Sequence, residues 1–459
     1  MALDFRKPGV FFKAQKRVTA QEAVRVVRSH DHIHWNGGAQ VPYALINALC
    51  ERADVSARHR KDGCFDPEND IEDIHLHHSV LFGKVPYAKP EYEGILFDQP
   101  TFVGSNIREL VRLGVADYIP THLHDVPLLY RLGNIPCHVC FLSVSLPDDN
   151  GYVSLGTDVE GSIGAIEASR VVIGLINRYI PHTYGDARVP LGCFDYLVRD
   201  DRPLFEPEPE FPSPVEKEIG RRCADIIEDG SCLQVGIGAI PNAVVSSLRD
   251  HKNLGIHTEM CSDGLVDLYR MGVVNGSKKK TDPGRIVSTL MLGSYRVFDI
   301  IDHNPDFLMM DSSYTNDPYV IGQNDKMIAI NTAIQIDLTG QVCADSVGQR
   351  IISGTGGQLD FVKGTEISRG GRSIMAFSSR TKRGESKIVP MLTPGAGVVT
   401  PRPDANWMVS EYGAVDLSGK SLQERAKLLI SIAHPDDREA LERAAFERFG
   451  PHFYSVLGH

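Results

Sequence analysis

The chain lacks a basic excess: 48 lysines and arginines stand against 59 aspartates and glutamates, a formal net charge of −11. A general nucleic-acid grip needs a basic face, so that class is set aside, while a local cation for a phosphate ligand is not. No run of 18 apolar residues occurs, which argues against a membrane-spanning helix. The opening MALDFRKPGVFFKAQK carries charge but no apolar core, so no secretory leader is expected. Cysteine is scattered and odd in number, nine in 459 residues. That pattern suits thiols in a reducing cytoplasm better than a disulfide framework. The lone C-x-x-C, Cys137 and Cys140 in PCHVCFLSV, falls in a buried-strand pattern. Strand residues three apart point to opposite faces, so no redox or zinc role is expected there.

What is present is an ordinary globular composition, 42% hydrophobic and 23% charged, in a chain long enough for two or three domains. Five prolines in PLFEPEPEFPSP, residues 203–214, can continue neither a helix nor a central strand. We read a linker at 206–214 between an N-terminal domain, 1–205, and a C-terminal domain, 215–459.

Helix-like and strand-like segments alternate in both halves. Val103–Leu113 and Val159–Ser169 have helical spacing, and Cys140–Val144 and Val171–Asn177 read as buried strands. In the second half Val215, Ile219, Cys223, Ile226 and Ile227 form a helical stripe with Gly230 as its cap. Ser231–Val235 is a strand, Gly236-Ile237-Gly238 a turn, and Pro241 suits the first position of the next helix. Leu254–Glu259, Ile286–Leu292, Met327–Ile336 and Ile374–Phe377 are further strand candidates. Asp263-Gly264 opens a helix through Tyr269, and Ser421–Ile432 and Asp436–Phe449 are closing helices. The alternation implies an α/β fold with helix-covered open sheets, whose ligands bind beyond the carboxyl ends of the strands.

Three stretches hold residue types suited to chemistry. VGIGAIPN, Val235–Asn242, has two glycines between a strand and a helix, where backbone approaches a ligand and N–H groups face negative charge. It is neither a dinucleotide fingerprint nor a P-loop, and alone it is equally a structural turn. LGIHTEMCSDG puts Glu259 at the end of a short apolar strand, on the ligand side of a sheet; the bland alternative is a solvated or capping carboxylate. Ser353-Gly-Thr-Gly-Gly357 is a loop of backbone donors fit for an oxyanion, or a plain mobile loop. The histidines His32, His34, His75, His77, His78, His122 and His124 show neither H-E-x-x-H nor a helix-spaced pair. Alternate histidines on a strand would share a face and make a site geometrically possible, but they are read as satisfied or exposed, with no metal expected. Lys278–Lys280 reads as a solvated basic loop.

Taken together, NLGIHTEMCSDGLVDL, ISGTGGQLDFVKG, IVPMLTPGAGVVT and VSEYGAVDLSGKS resemble the acetyl-CoA hydrolase/transferase family of class I CoA-transferases. The 4-hydroxybutyrate and butyrate CoA-transferase branch looks most similar. ADYIPTHLHDVPLLYRLG and SLPDDNGYVSLG add to the resemblance, which runs from about Phe102 to the C-terminus. Asn36-Gly37-Gly38 falls on the family's first glycine turn. The resemblance implies two open-sheet α/β domains with the active site between them.

It also implies Glu259 as the catalytic glutamate. Gly236, Ile237, Gly238, Ala239 and Ile240 would contact CoA, with backbone donors at Ile237 and Gly357. Asn331, Gly354 and Gly356 would lie near the substrate, and Lys382 would touch CoA. The partners would be an acyl-CoA and a carboxylic acid (acetate, butyrate, 4-hydroxybutyrate, succinate or itaconate). CoA is a substrate rather than a resident cofactor, since thioester–anhydride exchange needs neither metal nor redox group. A carboxylate is already ionised at pH 7 and needs no general base. Relatives imply a homodimer or an assembly of dimers. An acetyl-CoA hydrolase using the same glutamate, and a non-catalytic CoA-binding protein, are the competing readings.

Overall fold

The computed structural model describes residues 15–453; most of the opening stretch read above for a leader lies outside the described residues. The chain forms two compact units. One takes the residues up to Pro207 together with Val287–Thr315, and the other takes Glu208–Ile286 together with the residues from Asn316 on.

The first unit is built on a parallel sheet. Its strands are β1 (Lys16–Arg17), β2 (His32–Trp35), β3 (Ile74–His77), β4 (Leu96–Asp98), β5 (Val139–Val144), β6 (Val171–Ile176) and β7 (Tyr196–Arg199). They lie in the order β1-β7-β6-β5-β2-β3-β4, every neighbouring pair parallel. β5 and all but the first residue of β6 are buried, as continuous apolar runs are when both faces of a sheet are covered. Helix α1 (Tyr43–Lys61) shares one core with Ile33, Trp35, Ile74 and Phe141 through Leu45 and Leu49. The helical expectation at Val103–Leu113 shrinks to α2 (Arg108–Leu113), which ends on Gly114 with φ 74. That at Val159–Ser169 shrinks to α3 (Ser162–Ala168), because Glu160 has φ 27 and cannot join a helix. Cys137 and Cys140 are buried free thiols; burial pushes Cys137 up to about 12, and its Sγ lies 3.1 Å from Ser169 Oγ.

The second unit opens with α4 (Pro214–Ile226). Ser213, at the end of the proline-rich stretch, caps it reciprocally with Glu216, and Pro214 takes the first helical position. Ile219, Cys223 and Ile226 form its buried stripe. Gly230 is not the cap: the helix has already ended at Ile227, and Gly230, φ 77, turns the chain into the next strand. The sheet comprises β8 (Cys232–Val235), β9 (Gly255–Ile256), β10 (Met327–Asn331), β11 (Arg372–Ala376), β12 (Trp407–Ser410) and β13 (Gly413–Asp416), in the order β9-β8-β10-β11-β12-β13. All pairs are parallel except β12 with β13. Between the strands run α5 (Ala239–Ser246), α6 (Asp263–Arg270), α7 (Pro318–Gly322) and α8 (Gln358–Ile367). The closing helices are α9 (Leu422–Ser431), with Ser421 as its cap rather than its first residue, and α10 (Pro435–Phe449). Met375, Phe377, Met408, Leu429 and Leu441 sit in the core between this sheet and the closing helices.

Two expected strands are broken. Met327–Ile336 leaves the main sheet after Asn331, and Gln335–Asp337 joins a smaller sheet; Ile286–Leu292 divides into Ile286–Ser288 and Leu290–Met291. The lysine run is not a uniformly solvated loop. Lys279 is buried and its Nζ donates to the carbonyls of Ile256 and Arg285, 2.8 Å each, so the amine ties down the end of β9; burial lowers its pKa. Among the described residues no helix is long and apolar enough to cross a membrane.

Candidate active site

Because β9, β8 and β10 are parallel neighbours, their carboxyl ends fall along one edge of the second sheet. β8 ends at Val235, opposite Ile330, and turns through Gly236-Ile237-Gly238 into α5. Gly238 precedes the helix at φ 112, a conformation that favours glycine. Ile237 is 42% exposed on the turn, and Ala239 and Ile240 are half-buried at the start of α5. Pro241 is the third residue of the helix, not the first; its missing N–H has no intrahelical partner at that position either.

Glu259 follows β9. The strand expected over Leu254–Glu259 is regular only at Gly255–Ile256, although the His257 N–H still reaches the Leu233 carbonyl at 3.0 Å. Thr258 then leaves the ladder. Its hydroxyl accepts the Val235 N–H at 3.2 Å and donates to the Met260 carbonyl at 3.1 Å. That staple fixes Glu259 beside the end of β8.

The Glu259 carboxylate meets the start of α8. It accepts the backbone N–H of Gly357 and the Asn316 amide, with Asn316 Nδ2 3.2 Å from Oε2. The same Nδ2 lies 3.4 Å from Oδ2 of Asp360, in the first turn of α8. Glu259 is half-buried, and the protein packed around it pushes its carboxyl up to about 7. The Asn316 bond opposes the rise, the negative charge of Asp360 adds to it, and the Gly357 N–H opposes it. The group therefore titrates near neutrality, which corrects the expectation of a carboxylate simply ionised at pH 7.

The remaining expected site residues divide into two sets. Gly354 and Gly356 lie buried in the loop before α8, Gly356 at φ 56, and the loop is tethered by the Ile352 and Ser353 N–H groups on the Asp345 carbonyl. Asn331 ends β10 on the same sheet edge. Its amide engages Gln234, Nδ2 to Oε1 at 3.3 Å, rather than Glu259, and Gln234 Oε1 also accepts the Ile330 N–H at 3.1 Å. Lys382 is exposed on the Thr381–Glu385 turn, with no bond to this cluster among the described residues. Lys387 is half-buried, its Nζ 3.5 Å from the carbonyl of Ala333, two residues past Asn331.

Asn316, Asp360 and Gln234 escape a reading of the sequence. Asn316-Asp317-Pro318 has the look of a helix start, and it is one: Asp317 accepts the Tyr319 N–H at 2.8 Å. Nothing local ties Asn316 to a glutamate 57 residues earlier. Asp360 stands in the first turn of a helix, where acidic residues are common for reasons of helix polarity alone.

The histidines of the first unit are largely occupied by one another and by neighbours. His32 stacks on His75 with centroids 4.3 Å apart, and its Nδ1 lies 2.8 Å from His77 Nε2. His34 pairs with the Tyr130 hydroxyl at 2.9 Å, and His78 with Asp98 at 3.0 Å. Burial lowers His32 to about 4 and His77 to about 3. Among the described residues no group of three or more histidine, cysteine or acidic side chains is placed to hold a metal ion.

Comparison with known proteins agrees with this architecture. Residues 13–206 match the acetyl-CoA hydrolase/transferase N-terminal domain and residues 293–445 the C-terminal domain of the same name. The chain is 39% identical to a 4-hydroxybutyrate coenzyme A transferase of Clostridium kluyveri, over 95% of this chain and 98% of that one. It is 42% identical to a succinyl-CoA:acetate/propanoyl-CoA:succinate CoA transferase of Fasciola hepatica, over 90% of this chain and 84% of that one. The crystal structure of RipA from Yersinia pestis superposes with a TM-score of 0.85 at 35% identity, covering 94% of this chain and 97% of that one. The chain thus belongs to the acetyl-CoA hydrolase/transferase family, as one of its CoA-transferases.

Proposed function

We propose that the enzyme moves CoA from an acyl-CoA, such as acetyl-CoA or succinyl-CoA, to a short-chain carboxylic acid through a thioester formed on Glu259. The acceptors fitting this reading are butyrate, 4-hydroxybutyrate and small dicarboxylates. The observation that carries it is the convergence of two N–H donors, from Gly357 and Asn316, on one carboxylate at the carboxyl edge of a parallel sheet.

The Glu259 carboxylate attacks the thioester carbonyl and expels CoA thiolate, leaving a mixed acyl-glutamyl anhydride. The thiolate then attacks the glutamyl carbonyl and releases the first acid, leaving a glutamyl-CoA thioester. The incoming carboxylate attacks that thioester and frees the thiolate, which attacks the new acyl carbonyl and restores Glu259. Covalent catalysis splits one hard exchange into matched easier steps. Backbone N–H groups of Ile237 and Gly357 serve the oxyanions, each such donor contributing roughly 3–4 kcal/mol. CoA runs along Gly236–Ile240 with Lys382 on its charged portion, and Asn331, Gly354 and Gly356 border the acyl group. Contacts to the long CoA handle, remote from the reacting atoms, fix the geometry. A homodimer, or an assembly of dimers, in the cytoplasm completes the proposal.

The test supplies acetyl-CoA with a panel of acids and measures new acyl-CoA against free CoA, with mass analysis of the peptide containing Glu259. New acyl-CoA and a CoA adduct on that peptide, removed by borohydride with loss of activity, are expected. Glu259→Gln should retain acyl-CoA binding and lose exchange by several orders of magnitude. Near-native exchange in that variant defeats the proposal, and free CoA without new acyl-CoA assigns the same site to hydrolysis.

A further inference from the structure

We propose that the first unit carries a binding site of its own for a ring-bearing carboxylic acid, in a cavity at the carboxyl edge of its sheet. The site is independent of Glu259 and of the mechanism proposed above.

β2 continues through α1 to β3 on one side, and β5 leads to β6 and β7 on the other. The connections therefore diverge between β2 and β5. Such a divergence opens a crevice beyond the strand ends, where open α/β sheets take their ligands. A cavity of about 480 Å³ lies there, lined by the residues that follow β2, β6 and β7, by Ser143 of β5 and by the start of α1. That volume falls within the ~300–1,000 Å³ of small-molecule sites. One wall is the segment 203–205. It is pinned across the edge by the Phe205 N–H on the Ala39 carbonyl at 2.8 Å, and by the Tyr295 hydroxyl on the Leu204 carbonyl at 3.1 Å.

Three features define the occupant. Deep in the cavity stands Ser143, only 2% exposed. Its N–H donates to Asn36 Oδ1 at 2.9 Å and its carbonyl accepts Asn36 Nδ2 at 3.0 Å, but its hydroxyl has no partner among the described residues. Strand alternation puts it on the face of Phe141, which shares a core with α1. A buried hydroxyl left unpaired in the protein calls for a polar ligand atom.

Along the side, the Phe82 and Phe205 rings stack with centroids 5.5 Å apart, and Val41 and Leu175 add aliphatic surface. This wall suits an apolar body the size of one ring.

At the mouth, Lys84 is exposed and makes no ion pair among the described residues. Arg202 lies over the Tyr43 ring, 5.5 Å from its centroid, and only its Nε engages a carboxylate, Asp200 at 3.4 Å. Two cations against one carboxylate leave a single positive charge. Pro42 gives α1 no side-chain cap, so the positive end of that helix adds to the field. A monoanionic carboxylate balances this mouth, and a dianionic phosphate does not. The occupant is thus a carboxylic acid with one ring and a polar group at its far end, such as a hydroxybenzoate.

Calorimetric titration of 4-hydroxybenzoate, benzoate and 4-hydroxybenzamide into the full-length enzyme, without CoA, is the test. 4-Hydroxybenzoate should bind saturably with Kd below about 1 mM, roughly tenfold tighter than the amide, which keeps the ring and loses the charge. Arg202→Gln, a change at an exposed side chain, should weaken it about tenfold. Ser143→Ala should erase its advantage over benzoate. Amide hydrogen exchange across residues 200–206 should slow when the acid is bound, which places the acid here rather than at Glu259. Absence of saturable binding overturns the proposal. So does binding that ignores both substitutions and leaves exchange in that segment unchanged.

Discussion

Gly357 lies so close to Glu259 that a β-carbon on the glycine would overlap the carboxylate oxygen Oε2, and the Asn316 amide as well. The glycine is not there for its backbone freedom, since its φ is −98, which any residue adopts. It is there because the helix start must touch the Glu259 carboxylate.

Gly357→Ala should therefore fold and yet fail. The methyl group has nowhere to go except into Glu259 or Asn316, so the carboxylate is displaced from the N–H that holds it. We expect a loss of about 10²-fold or more in kcat, with destabilisation of about 1–3 kcal/mol from overpacking. Steady-state kinetics beside thermal unfolding checks this. An alanine variant that turns over near the native rate would show that Gly357 and Glu259 do not meet in the working enzyme.

The titration of Glu259 near neutrality has two consequences of opposite sign. On the proposed glutamyl mechanism catalysis needs the ionised carboxylate, so the rate of adduct formation should rise with pH through about 7 and level off above it. Stability runs the other way. The folded group holds its proton more tightly than the unfolded one, whose ordinary value is 4.5. Its contribution is complete below about 4.5 and is lost as pH climbs through about 7. Glu259→Gln carries no such dependence and should gain about 2–3 kcal/mol on the native protein between pH 5 and pH 8. Denaturant unfolding of both proteins at the two pH values is the measurement. Parallel curves would mean that the carboxyl is not strained by its surroundings.

The alternation of strands and helices, the turn at Gly236–Gly238 and the position of Glu259 just beyond a strand were legible because each leaves a local mark: an apolar run, a glycine pair, a charge following apolar residues. Boundaries were less so. Thr258 breaks the strand before Glu259 by bonding to Val235 and Met260, a choice that depends on a neighbouring strand and not on its own sequence. Asn316 and Asp360 were invisible for the same reason: their meeting with Glu259 is made by two helix starts brought together in space. Lys279 reads as one of three surface lysines, and only the fold reveals the two carbonyls that bury it.

Those two helix starts are held together by a glycine contact between α7 and α8. A β-carbon at Gly364 would run into Ile321, and one at Gly322 into Ile367. Asn316 lies two residues before α7 and Gly357 immediately before α8, so the spacing of the helices sets the spacing of the donors. In a free helix, Gly→Ala would stabilise by about 1 kcal/mol. Here Gly364→Ala must push Ile321 away, so we expect a net loss of about 1–3 kcal/mol and a fall in kcat larger than any change in KM. Ile321→Ala made alone leaves a cavity, but combined with Gly364→Ala it makes room for the new methyl group. The double variant should recover much of the activity lost by Gly364→Ala. If the two substitutions are additive, with no recovery in the pair, this helix contact does not govern the distance between Asn316 and Glu259.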